Sequence, residues 1–566
     1  MMEQQAIPGT PSRRTMLVFC AVVAVLGIAV FGRSVTYGFV EWDDTALIVR
    51  NAAVHGLGPS TLWKAFTSYD PELYIPLTLL SYQADWAVSE GSAGWFHAVN
   101  LMLHIVNALL VALLALRLTR RPGIAASVSL LFLLHPLAVE AAVWVSARKD
   151  LLSTGFFLLS ALGYLAWRRG NRKAYAWSLV AFLLALLAKV SAAPLPFALL
   201  LFAAWQGRKI DGKALKEKWP YLALMAPFLV IAYAGKQGRV AGAGFFLETL
   251  LLVPRSTLFL LGKVVLPWNL APLYPYTRPI TLVSSDLLAA IAGSLILSLV
   301  LWRYRRALPH LWYGALFFLL CLVPNFMNFH KGDDYLDIYL TTDRYAYLPN
   351  AGLFLGLVLT ASALLAALRN PRVRLAAGVT AIAAVTALSA WLSFRQAGIW
   401  RDTETLFTAV LARSPNAQVA RVVMGGIAYA KGDLEGAHRE YVTAIGIRPT
   451  PLAFINLGVV FLDTKEYDRA IEANRRALAL NARASSAQMN IGVAYMGKGR
   501  YAEAAEAFRA TAAMDPKAIA AYINLGIAEE KLNHPDAAKE AYGKALEIDP
   551  ASRIAGERLT ALEADR

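Results

Sequence analysis

Cysteine is nearly missing from this chain: Cys20 and Cys321 are the two in 566 residues, and each falls in a different apolar stretch. No disulfide framework is implied, and the redox state of the compartment leaves no mark on the sequence. Charge is also scarce, at 17% of residues against 57% hydrophobic, and acidic residues are the scarcer kind, 39 against 55 Lys and Arg. A composition of this sort excludes an ordinary soluble globule and points to the membrane class. After about residue 394 the long apolar runs stop, which excludes further spans from the last part of the chain.

The net charge of +16 would suit a nucleic-acid binder if it were spread along the chain, but from residue 395 onward acidic and basic residues nearly balance. The excess belongs to the apolar part, where it acts as a topology signal, so nucleic acid is not an expected partner. Arg13 and Arg14 precede the apolar run of residues 16–31, a pattern shared with signal peptides and twin-arginine signals. No small-x-small cleavage site follows, and the expectation is a retained first helix behind a cytoplasmic tail, residues 1–14.

Because about 20 apolar residues make a membrane-crossing helix, the runs between residues 15 and 395 predict about eleven spans. Short connections around residues 13–14, 117–121, 168–173, 208–218, 303–306 and 369–374 are dense in Lys and Arg, with only Asp211 and Glu217 against them. The positive-inside rule makes these connections cytoplasmic. Residues 245–266 break the alternation, and Pro254, Arg255 and Lys263 interrupt them, so they are expected to be re-entrant or interfacial. With an odd number of crossings, the N-terminus is cytoplasmic and residues 396–566 lie on the periplasmic side of the inner (plasma) membrane.

Those last residues have a different period. Asn456-Leu457-Gly458, Asn490-Ile491-Gly492 and Asn524-Leu525-Gly526 recur every 34 residues, as do Ala470, Ala504 and Ala538. This is the tetratricopeptide period, and with a less regular copy at about 416–448 it predicts about four helix pairs stacked as a solenoid. The fold class is therefore all-α: a polytopic helical membrane protein followed by a repeat array. Such arrays bind peptides, other proteins or only each other, so the period identifies a fold and not a job.

Residues 34–96 form a first outer loop too long for a bundle connection, and it opens on Asp43 and Asp44 just beyond the first helix. An acidic pair there is either an interfacial loop cap or a catalytic carboxylate at the membrane surface. The runs FVEWDDTALIVRN, YIPLTLLSYQ, HAVNLMLHIVN, HPLAVEAAVWVSARKDLLS and TDRYAYLPN, followed by repeats, resemble the transmembrane and tetratricopeptide-repeat (TMTC) proteins. Those belong to the GT-C class of glycosyltransferases, with the protein O-mannosyltransferases. The resemblance implies transfer of a sugar from a polyprenyl-phosphate donor to a hydroxyl acceptor, with inversion and without a required cofactor. It also implies that the aspartate early in the first outer loop is the base; Asp43 matches that position and Asp44 stands beside it. Where the family has a basic residue before Pro-Leu-Thr, this chain has Ile75.

The second outer loop gathers Glu140, Arg148, Lys149 and Asp150, with His135 ahead of them. Arg148 and Lys149 sit on the side that the positive-inside rule depletes of cations. They either anchor at headgroups or hold the departing lipid phosphate, and Arg344 is a further phosphate candidate. His97, Asn100, His104 and Asn107 fall along one face of the second helix, in positions for interhelical hydrogen bonds rather than for a metal. Asp333, Asp334 and Asp337 form either a solvated charge run or a divalent cation site. The expected partners are a polyprenyl-phosphate sugar, membrane lipid and a protein acceptor held by the repeats. The competing readings are a non-catalytic scaffold for envelope proteins and a lipid-linked glycan ligase or flippase.

Overall fold

The computed structural model describes residues 12–69, 73–235, 243–329 and 338–564, and the acidic run at Asp333, Asp334 and Asp337 lies outside them. Among the described residues there are helices and no strands, apart from one isolated bridge between Pro275 and Tyr339. Contacts divide the chain into two compact units, one reaching to Ala409 and the other beginning at Val410.

The first unit is a bundle of apolar helices. Helix α1 (Arg13–Phe31) leads into the outer loop, which carries α2 (Pro59–Thr67) and α3 (Pro76–Ser89). After it come α4 (Ala93–Thr119), α5 (Pro122–Leu134), the short α6 (Val139–Val143), α7 (Arg148–Arg168), α8 (Ala174–Ala188) and α9 (Leu195–Trp205). Then follow α10 (Gly212–Lys216), α11 (Trp219–Ala234), α12 (Ala243–Val265), α13 (Ser285–Tyr304), α14 (Pro309–Leu322), α15 (Tyr347–Leu365) and α16 (Pro371–Ala397). Proline at the first helical position starts α3, α5, α14 and α16, where its missing N–H costs nothing. Among the described residues eight helices are long and apolar enough to cross a membrane, or nine if the pair α5–α6, bent by 58°, is one span; α8, the 190–205 segment and α11 are shorter apolar helices.

Side-chain contacts define the two ends of this bundle. At one, which we call the site face, Asp44 meets Ser146, His97 meets Val143, Lys189 meets Asp150, Arg344 meets Glu140, and Ser393 meets the carbonyl of Leu134. At the other, Glu217 ties together the ends of several helices. It accepts hydrogen bonds from Tyr164 (2.6 Å), Arg208 (2.9 Å) and Arg168 (3.1 Å). Burial works against its ionised form, yet the bonds from Arg208 and Tyr164 hold its carboxyl down at about 2.

Helix α12 differs from its sequence expectation in one respect. Pro254 does not interrupt it: the segment is a single helix of 23 residues, long enough to cross. Its contacts nevertheless tie both halves to the site face. Arg255 lies 3.9 Å from Asp286 in the first turn of α13, and Leu251 and Leu252 cluster with Tyr276, Leu287, Phe329 and Leu340. Near its other end the carbonyl of Val264 accepts from His135 Nε2 at 3.0 Å.

The second unit stacks antiparallel helix pairs: α18 (Gln418–Ala430) with α19 (Leu434–Ile447), α20 (Pro451–Asp463) with α21 (Tyr467–Leu480), α22 (Ser485–Gly497) with α23 (Tyr501–Met514), and α24 (Ile519–Lys531) with α25 (Pro535–Ile548). A last helix, α26 (Arg553–Ala564), closes the array, and α17 (Thr403–Arg413) precedes it across the unit boundary. The repeated glycine has a packing reason. A Cβ on Gly526 would stand 2.5 Å from the ring of Tyr542, closer than any real contact.

The same requirement governs the close approach of α14 and α15 in the bundle. A Cβ on Gly356 of α15 would meet the carbonyl of His310 at 2.6 Å and Gly314 Cα at 3.0 Å, both rigid backbone. Gly356→Leu is expected to destabilise the detergent-solubilised protein by roughly 1–3 kcal/mol. Gly262→Leu, in open space, is expected to leave the melting temperature unchanged. Equal melting of the two variants would contradict this packing.

Candidate active site

The site is built around the second of the two aspartates. After α1 the chain makes a 3-10 turn at Gly32–Thr36 and extends, bringing Asp44 beneath residue 40 and against the turn that joins α6 to α7. Asp44 is 1% exposed, and its two oxygens accept three hydrogen bonds: from Val40 N (3.0 Å), Ser146 N (3.0 Å) and Ser146 Oγ (2.5 Å). Burial pushes its carboxyl up to about 6 even though these bonds favour the ionised form. Asp44 thus clamps the outer loop to the α6–α7 turn and has no accessible oxygen. Asp43 has the opposite surroundings: its side chain is 37% exposed, and its carboxylate lies 3.5 Å from Lys149 Nζ.

Behind Asp43 the charges form a paired network, in which Arg344 Nε also lies 4.0 Å from Asp150 Oδ2. Lys149 is buried beside Trp144, its Nζ 5.7 Å from the ring. Arg344 forms an ion pair with Glu140, whose other oxygen accepts from the Arg344 backbone N–H at 3.0 Å. Lys189 Nζ donates to Asp150 at 2.6 Å. Pairing of this kind is what allows charged groups to be buried at a helix-bundle end. Several buried polar atoms here have no hydrogen-bond partner in the protein: Trp144 Nε1, Arg344 Nε, Thr342 Oγ1 and Asp150 Oδ2. Three of these can donate, so a ligand with acceptor oxygens would satisfy them.

Arg148, expected beside Lys149 as a phosphate ligand, is placed differently. It is fully buried, donating to Asn100 Oδ1 (2.8 Å) and the Phe96 carbonyl (2.9 Å) and pairing with Asp85, with Tyr82 and Phe96 against its guanidinium. Its geometry is that of a strut between α3, α4 and α7, turned away from Asp43. The polar face of α4 is used for interhelical bonds. His97 Nδ1 bonds the Val143 carbonyl (2.8 Å), and Asn100 Nδ2 bonds that of Trp144 (2.9 Å). His104 bonds Tyr347 Oη (2.8 Å) and the Leu133 carbonyl (3.0 Å), while Asn107 bonds the Leu151 carbonyl (2.9 Å). Among the described residues no group of three or more His, Cys, Asp or Glu could hold a metal ion.

Two contributors were not legible in the sequence. Lys189 ends an apolar helix, which hides it, and it also lines a mostly apolar cavity of about 250 Å³ with Ile75, Tyr74, Phe228 and Asn325. A cation therefore reaches the cavity wall beside Ile75, from a different element. The second is the segment after α16. Trp400 stacks on Trp144 (centroids 5.5 Å apart, 25° between planes), Thr403 Oγ1 accepts from Glu41 N (2.8 Å), and the Arg401 carbonyl accepts from Gly38 N (3.2 Å). Residues placed with the repeats by composition thus brace the outer loop; the periodic change at Trp400 gave no sign of this.

Asp44→Asn would turn a donor toward Val40 N–H or Ser146, and it is expected to cost about 1–3 kcal/mol. The pH dependence follows from the raised pKa. The unfolded carboxyl, with its ordinary value of 3.8, loses its proton before the folded one does, so this residue's contribution to stability declines as pH rises from about 4 through about 6. Melting curves across that window should lose this slope in Asp44→Asn and keep it in Asp43→Asn.

The tetratricopeptide repeat family matches residues 424–485, 455–519 and 489–553. Protein O-mannosyl-transferase TMTC4 of Homo sapiens is 32% identical over 175 residues, 27% of this chain and 24% of that protein. A protein O-mannosyl-transferase of Caenorhabditis elegans is 23% identical over 442 residues, covering 73% of this chain and 60% of its own length, more than the repeats could supply. The crystal structure of MamA is 27% identical over 26% of this chain and 85% of its own, with a TM-score of 0.25. The chain spans about a quarter of the length of the human TMTC4 protein it matches. By these likenesses the chain is similar to the TMTC protein O-mannosyl-transferases, and its C-terminal part is an array of tetratricopeptide repeats.

Proposed function

We propose that this chain is a membrane glycosyltransferase that moves a sugar, a hexose such as mannose, from a polyprenyl-phosphate donor to the hydroxyl of a protein Ser or Thr. The observation that carries the reading is Asp43, an accessible carboxylate beside buried cations and buried donors without a hydrogen-bond partner. The names of the relatives support the reaction class.

In this reading the acceptor hydroxyl oxygen bonds to the anomeric carbon as the bond from that carbon to the phosphate oxygen breaks. The hydroxyl proton passes to Asp43, and the phosphate leaves with the bonding electron pair. A hydroxyl is a weak nucleophile until a carboxylate within about 2.6–3.2 Å takes its proton. Charge growing on the phosphate would be met by Lys149, by Arg344 Nε and by Trp144 Nε1, donors fixed before the reaction begins. Drawing Lys149 toward the phosphate would also release the Asp43 carboxylate. With about eleven crossings and α12 along the surface, the site face is extracytoplasmic and the repeats follow on that side.

The test uses the purified chain in nanodiscs with labelled polyprenyl-phosphate mannose and a Ser/Thr-containing acceptor protein. Asp43→Asn is expected to lower transfer by roughly 10²- to 10⁴-fold while the protein melts as the wild type does. Wild-type turnover in this variant would sink the assignment. No transfer by the wild type from any labelled donor would favour the scaffold reading instead.

The repeats have a separate expected effect. Tethering an acceptor raises its effective concentration at the site to around millimolar. A chain stopped after Arg413, which keeps Trp400 and Thr403 in place, should therefore still use a short peptide at high concentration and fail on full-length acceptors. Equal loss on both substrates would place the repeats inside the catalytic architecture.

A further inference from the structure

A large cavity is at the end of the bundle opposite the site face. It lies between α5, α15 and α16 and encloses about 1260 Å³. Its walls are mostly apolar, with Ser127, Ser362 and His310 among them, reaching Leu131 on α5 and Val385 on α16, and its mouth is formed by Arg120, Arg121 and Arg374. No Asp or Glu lines it, and among the described residues none of the three arginines has an acidic partner.

Two helix N-termini open on the same mouth. Pro122 and Gly123 of α5 and Pro371 of α16 are part of the lining. In α16 the side chain of Asn370 caps the first N–H groups, but no side chain caps α5, so its first turn presents unsatisfied donors there. His310 lines the wall; its Nδ1 accepts from Trp205 Nε1 at 3.0 Å, which puts the ring proton on Nε2. From Arg374 to Val385 is roughly 16 Å along a helix axis at 1.5 Å per residue, about the depth of one leaflet.

We propose that this groove is a binding site for one anionic glycerophospholipid, its phosphate held at the mouth by Arg120, Arg121, Arg374 and the α5 N-terminus, and its acyl chains lying between α5, α15 and α16. Basic pockets between membrane helices select anionic headgroups because charge attraction and chain burial act together. The three helices continue to the site face, where α5 leads to Glu140 and α15 begins beside Arg344. A lipid wedged between them would fix the spacing on which that ion pair depends. The inference does not rest on the transfer reaction.

The full chain, reconstituted in nanodiscs of equal parts phosphatidylcholine and phosphatidylglycerol and released into mild detergent, would be weighed intact by native mass spectrometry. One phosphatidylglycerol should be retained in preference to phosphatidylcholine. Arg120→Gln, Arg121→Gln and Arg374→Gln should each lower that retention roughly fivefold, the effect of one surface cation. Ser127→Trp, which fills the groove from a half-buried position of α5 that lines it and leaves the arginines in place, should displace the lipid. Equal retention of the two lipids by the wild type, or unchanged retention in both the triple-Gln and Ser127→Trp proteins, would overturn the proposal. Added inorganic phosphate alone should not raise the melting temperature; if it did as well as the lipid, the mouth would be an anion site and not a lipid site.

Discussion

Pairing of buried charge is the constraint on which this bundle depends. Ion pairs at the site face join Asp85 to Arg148, Glu140 to Arg344, Asp150 to Lys189 and Asp43 to Lys149, each linking different elements. An isolated charge at such a depth would cost several kcal/mol, so each pair demands that two helices end at the same level. The loop is then held by Asp44, whose three hydrogen bonds reach Val40 and Ser146. Of the acidic groups in these contacts, Asp43 alone is more than a third exposed on its side chain, which is why the proposed reaction is assigned to it.

The two units are stabilised by different physics. Helices of the bundle approach closely through small residues, as Gly314 and Gly356 do, and exchange hydrogen bonds through polar side chains such as Asn107 and His104. In the array each helix pair buries alanines and an aromatic ring against its neighbours, as Ala504, Ala505 and Phe508 do with Ala528. One unit answers to lipid and the other to water.

Much of this was legible in the sequence, for reasons that particular residues make plain. The repeats were visible because Gly458, Gly492 and Gly526 return at a fixed interval, each at a site where a Cβ has no room. Membrane helices were visible as apolar length, and the outer loop as a length without it. The roles within the site were less so. Nothing local to Asp43-Asp44 says which of them meets Ser146, which lies 102 residues beyond Asp44. Arg148 was misread because its partners Asp85 and Asn100 are 63 and 48 residues away. Lys189 was hidden at the end of an apolar run, and Pro254 suggested a break that the helix absorbs. Charge and periodicity are local signals, whereas pairing is a property of the packed helices.

In the proposed reaction Asp43 is the acidic group of the four ion pairs that is open to solvent, while Asp44 is locked in the fold, and the proposed course is one direct displacement with no covalent sugar on the enzyme. Stereochemistry tests this most directly. Nuclear magnetic resonance of the glycosylated acceptor, made from a donor of defined β anomeric configuration, would read the outcome at the anomeric carbon. The account predicts an α-linked product; a β-linked product would require a second nucleophile and contradict it.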